Sequence, residues 1–103
     1  MEQPLSKDEE SILLYLETCL VDNNGRMEEK RMKEVDFRIM ETWKMAGLID
    51  YSRLPFKEIE KLRKMTSSRE YTHWVLFTDK AWELAHQHRK IKSERMIAKL
   101  KAL

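Results

Sequence analysis

The sequence predicts a mainly α-helical fold with a small β-hairpin, on three observations. Only two Gly and two Pro stand among 103 residues, too few turn residues for a loop-rich all-β chain. Apolar residues recur at helical spacing behind good capping residues along most of the chain. One segment, Tyr71 to Thr78, is instead dense in β-branched and aromatic side chains, which suits a pleated surface. At this length a single domain spanning 1–103 is expected, since domains typically run ~100–150 residues.

The first helix, about 7–21, starts behind Ser6, a good N-cap. Glu9 completes a capping box, and Asp8, Glu9 and Glu10 suit the positive end of the helix dipole. Ile12, Leu13, Leu16, Cys19 and Leu20 give it one apolar face, and Asp22-Asn23-Asn24-Gly25 ends it, because Asn and Gly tolerate the left-handed backbone of a sharp stop. Residues 26–35 are highly charged, with Met27, Met32 and Val35 as anchors, and predict a short extended stretch followed by a second helix of one or two turns. Asp36 is the candidate N-cap of a third helix, in which Phe37, Met40 and Trp43, with Ile39 beside them, face inward. Ala46-Gly47 ends that helix, and Leu48 to Tyr51 forms a strand.

The segment LPFKEIEKLRKM places Pro55 where a first helical turn allows it and spaces Phe56, Ile59 and Leu62 three apart. That favours a short amphipathic helix over a strand. Thr66-Ser67-Ser68-Arg69-Glu70 supplies turn residues, and the 71–78 strand follows. Thr78 then caps a helix of about 79–101 that contains neither Gly nor Pro and would be ~35 Å long at ~1.5 Å per residue. One small domain cannot cover that length.

The formal net charge of +2 conceals an asymmetry: 7 Lys/Arg against 12 Asp/Glu over 1–50, and 13 against 6 over 51–103. An anionic partner would therefore meet the second half. The single Cys19 cannot form an intrachain disulfide, which suits a cytoplasmic, reducing setting. The longest apolar run, Ile12 to Leu16, is far short of the ~20 residues of a membrane span, and no signal-peptide pattern opens the chain; no membrane association is expected.

Two strings carry a family resemblance. IMETWKMAGLIDY resembles the end of a recognition helix running into a first wing strand, with Trp43 four residues before Gly47. WVLFTDKAWELAHQHR is similar to a second wing strand leading into a C-terminal helix, with Ala81 where Gly is frequent. Together with the element order, over about 8–90, the chain resembles the winged helix-turn-helix superfamily. Two departures are visible: a short Gly25 to Gly47 interval, which abbreviates the second helix, and an extended wing that holds a helix.

The resemblance implies a sequence-specific double-stranded DNA-binding protein, a transcriptional regulator with its third helix in the major groove; the alternative within the same fold is a protein-protein adaptor. The outward residues of that helix would be Arg38, Glu41, Thr42 and Met45, flanked by Lys44. Arg pairs with guanine, Glu accepts from cytosine, and Thr meets a polar edge or the thymine methyl group. The same pattern also describes any solvated helix face. Lys57, Lys61, Arg63, Lys64 and Arg69 surround the wing turn as phosphate contacts, and Lys30 and Arg31, near the second helix, add an edge.

Along the last helix, Trp82, Leu84, Ala85, His88 and Ile91, then Ile97 and Leu100, continue an apolar seam that a homodimer would bury. Catalysis finds little support, and no metal site or cofactor is expected. His86 and His88 point about 200° apart on a helix, Cys19 lies on an apolar face, and no Gly-rich phosphate loop is present.

Overall fold

Ser6 starts the first helix as its sequence predicts. Its hydroxyl accepts from the Glu9 N–H at 3.1 Å, and the Glu9 carboxylate accepts from the Ser6 N–H at 2.9 Å. The helix, α1, runs Lys7–Asp22. This computed structural model describes residues 5–65 and 69–103; the first three residues of the turn expected at 66–70 lie outside them. At the end of α1, Asn24 and Gly25 take φ of 55° and 80°, so the left-handed stop forms where it was expected.

Strand β1 (Arg26–Met27) follows, then a single 3-10 turn (Glu29–Arg31) where a second helix of one or two turns was expected. Helix α2 is Glu34–Met45, which corrects the cap assignment: Lys33 holds the N-cap position. Asp36 sits three residues inside, its carboxylate accepting from the Lys33 N–H at 2.8 Å. Its side chain reaches back to an orphan donor of the first turn rather than forward. Gly47, at φ 76°, ends α2, and β2 occupies Ile49–Arg53, two residues further than the Leu48–Tyr51 expected.

Helix α3 is Phe56–Met65, β3 is His73–Phe77 and α4 is Asp79–Lys101. Thr78 caps α4, accepting from the Ala81 N–H at 3.3 Å while its own hydroxyl donates to the Leu48 carbonyl at 2.6 Å. The molecule is thus mainly helical, with a three-stranded antiparallel sheet in the order β1-β3-β2 in place of the two-stranded hairpin. The third strand is the extended stretch after α1, and its backbone groups would otherwise be unpaired. No described helix is long and apolar enough to cross a membrane.

Strand alternation divides the side chains between two cores. Met27, Ile49 and Val75 face one side, where they meet Ile12, Leu13, Leu16 and Cys19 of α1, Met40 and Trp43 of α2, and Ala81 and Ala85 of α4. Fully burying each Leu or Met there contributes roughly 1.5–3 kcal/mol. Trp74 points to the reverse side, where it packs against a separate cluster of Leu54, Ile59, Leu62 and Tyr71. Helix α3 therefore covers the back of the sheet. Phe56, expected to face inward with Ile59 and Leu62, is 71% exposed, because each three-residue step falls about 60° short of a full helical turn and leaves Phe56 about 120° round the helix from Leu62.

Candidate nucleic-acid interface

The exposed face of α2 is built by spacing alone. Arg38, Glu41, Thr42 and Met45 lie three, four and seven residues apart and share one face. Met40 and Trp43 anchor the opposite face in the core, and Met45 is 82% exposed. These four residues come together as expected, yet they are not equivalent. Thr42 donates its hydroxyl to the Arg38 carbonyl at 3.1 Å, a bond internal to the helix. Glu41 accepts from the Tyr51 hydroxyl of β2 at 2.8 Å. Lys44 turns away to the sheet: its ammonium donates to the Tyr51 carbonyl at 2.9 Å, lies 3.6 Å from Asp50 and stands 5.1 Å from the Tyr51 ring centroid.

Among the described residues, Arg38 and Met45 therefore have no side-chain partner on this face, and Glu41 is a pre-oriented acceptor. Partial burial and the bond to Glu41 push the Tyr51 phenol up to about 12, so it stays a donor. Tyr51 and Asp50 were not among the candidate site residues. Their signal in the sequence is weak, because the pairing joins α2 to a strand ten residues on.

The remaining cations scatter. Lys30 is exposed on the 3-10 turn. Arg31 bonds through Nε to Glu28 at 2.8 Å, and Glu28 is buried, so part of that guanidinium is committed. Arg69 donates to Asn23 at 3.2 Å, tying the chain before β3 to the turn after α1. Lys61, Arg63 and Lys64 lie on α3, a helix packed on the reverse of the sheet from the core that holds α2. The helix expected within the extended wing thus forms, and it carries these cations on the reverse of the sheet.

Comparison with family models, with curated proteins and with solved structures finds no match to this chain.

The seam expected along α4 divides in two. Trp82 packs edge-on to Phe77 at 5.1 Å, Leu84 lines the main core, and Ala85 is 0% exposed. His88 bonds to Glu10 at 2.8 Å. Ala85 is thereby corrected from a dimer contact to a core residue, and Trp82, Leu84 and His88 are committed largely to their own protomer. The reason is that α1 runs antiparallel along this stretch, pairing Arg89 with Glu17 at 2.9 Å and Arg95 with Glu10. Ile91, Ile97 and Leu100 stay exposed, as do Met96 and Leu103.

The buried titratable groups read as structural. Burial pushes the Cys19 thiol up, away from the thiolate, and holds His73 below its ordinary value. Among the described residues no three His, Cys, Asp or Glu side chains are grouped to hold a metal ion.

Proposed function

We propose that this chain is a winged helix-turn-helix protein that binds double-stranded DNA sequence-specifically and regulates transcription by occupying an operator. The carrying observation is α2, an exposed Arg38-Glu41-Thr42-Met45 face on a helix that runs through Gly47 directly into β2. A short turn before that helix and the antiparallel β2-β3 pair after it support the same reading. Arg38 reads guanine, Glu41 accepts from a cytosine amino group, and Met45 packs on a thymine methyl group. Helix α3 lies on the other side of the sheet and is not part of this operator face.

Selecting bound fragments from random duplex DNA tests the proposal. The expected result is an enriched motif, bound with an affinity that falls as salt rises. Arg38→Ala then relaxes choice at one position by about 1–3 kcal/mol. A flat titration with micromolar mixed-sequence duplex at low salt overturns it. In that event the adaptor reading gains, since Glu34 and Glu41 stand on α2 near Arg38 and Lys44 is already held by Asp50.

The operator complex contains two copies. Met96 and Leu100 stand four residues apart on one exposed face of α4, with Ile97 beside them and Leu103 exposed just past the helix end; Ile91 points about 140° away from Met96 and joins no stripe. Over 89–101 the helix carries six Lys/Arg and one Glu, so two α4 helices repel. The acidic start of α1, Asp8 and Glu9, is the complementary surface. The second copy therefore places its α1 beside Met96, at the mouth of an open groove of about 780 Å³ between α1 and α4 that Lys92, Met96 and Lys99 line.

A further inference from the structure

Helix α3 has its own solvent face, and it is basic. Lys57, Lys61 and Lys64 recur at four and three residues, which sets them on one side of the helix, opposite the buried Ile59 and Leu62. Two acids interleave with them: Glu58 leans back to Arg26 at 3.5 Å, and Glu60 is exposed at one margin of the stripe, but no carboxylate among the described residues pairs with any of the three lysines. The stripe is about 10 Å long, at ~1.5 Å of rise per residue. Duplex DNA presents one phosphate charge per ~1.7 Å of axis, so three cations over that length each find one.

The stripe points away from α2. Tyr51, on the core side of the sheet, holds Glu41 of α2, whereas Trp74, on the reverse side, holds α3. A straight duplex seated on α2 leaves the α3 stripe facing elsewhere. Resting on the DNA-binding reading of α2, we infer that α3 is a second, sequence-independent phosphate-binding face, so that one protomer joins two duplex segments. A duplex suits the stripe better than a lipid surface. An interfacial helix needs its apolar face for the bilayer, and here Ile59 and Leu62 are buried against Leu54, Tyr71 and Trp74. What remains, Phe56 and Met65, flanks the lysines on opposite sides.

The test immobilises the duplex selected for α2, loads the full chain, and measures capture of a second, fluorescent duplex of mixed sequence. Wild type captures it, with an efficiency that falls roughly 40-fold between 50 and 200 mM salt, the dependence of about three released counterions. The triple variant Lys57→Gln, Lys61→Gln, Lys64→Gln captures at least tenfold less, while its affinity for the first duplex changes less than threefold. An unchanged melting temperature shows that the variant is folded.

Undiminished capture by the variant overturns the inference, since a dimer then bridges through two α2 helices. So does a parallel loss of first-duplex binding, which puts both helices on one duplex. Binding of the first duplex by wild type without capture of a second overturns this inference alone, and no duplex binding at all overturns the operator reading with it. Lysine-dependent sedimentation with phosphatidylserine vesicles, without capture, assigns the stripe to lipid.

Discussion

Tyr51 shows how much one side chain decides. Its hydroxyl fixes one oxygen of Glu41 and its carbonyl holds Lys44, so the α2 face presents an oriented acceptor beside the exposed Arg38. Tyr51→Phe is expected to leave the fold intact and reduce discrimination at the base pair facing Glu41 several-fold, measured against single-substitution operators. Gly25 is constrained twice: its φ is 80°, and a Cβ there would stand 2.9 Å from the Val75 carbonyl oxygen. Gly25→Ala should cost about 1–3 kcal/mol in a denaturant melt, the range for local backbone strain. His73 is buried against Phe37, with Thr72 Oγ1 at 2.8 Å from Nδ1; Thr72 in turn accepts from the Glu29 N–H. Burial first, and Arg53 nearby, hold the imidazole below its usual 6.5 against the opposing pull of Glu29. The folded state therefore binds its proton less readily than the unfolded one. The stability from this group is complete above about pH 6.5 and is lost as pH falls below it. Melting temperatures from pH 5 to 8 should rise with pH, and His73→Gln should flatten the rise.

At the scale of elements, the fold depends on how α4 is started and then held. Thr78 caps α4 and bonds back to Leu48 at the foot of β2, which joins three elements at one side chain. Thr78→Ala is expected to cost about 1 kcal/mol, within the range for N-cap removal, and is read by chemical denaturation. Further along, Glu17 is 7% exposed and accepts twice from Arg89, whose guanidinium also reaches the Leu14 carbonyl. Breaking a buried pair from one side leaves a charge uncompensated, so Arg89→Ala destabilises more than Arg89→Met combined with Glu17→Leu. Comparing those two melts checks it. Glu10 behaves similarly: bonds from His88 and Arg95 hold its carboxyl below the usual range despite burial. Its contribution is present above about pH 4.5 and is lost as acid protonates it.

For the whole molecule, the charge asymmetry becomes a matter of faces. The acidic α1 and the basic α4 lie side by side within one protomer, and part of each charge set is already paired there. Among the described residues Asp8, Lys92, Lys99 and Lys101 have no ion-pair partner, and in the proposed dimer they would set the orientation of the second copy. Sedimentation at rising concentration should show a species of twice 12.5 kDa, weakened by salt and by Leu100→Asp. Only 12.5 kDa material at high concentration removes the dimer.

The sequence by itself determined the four long helices and the exposed face of α2. The Ser6 and Thr78 caps, the stop at Asn24-Gly25, and the spacing of Arg38, Glu41, Thr42 and Met45 are local properties, set by backbone sterics and a 3.6-residue period that need no distant partner. Glu17 and Leu14 could not be read as buried, because their cover is α4, some seventy residues on. Asp36 was misplaced as a cap because its reach back to Lys33 and a forward reach look alike in sequence. Ala85 had an apolar neighbourhood in either reading; only the antiparallel docking of α1 decided that the neighbour is its own chain. The α3 lysines were visible as cations, but which side of the sheet they occupy followed from Trp74, since strand alternation assigns faces only once the strands have paired. Local chemistry sets what a segment is, and long-range packing sets what it faces.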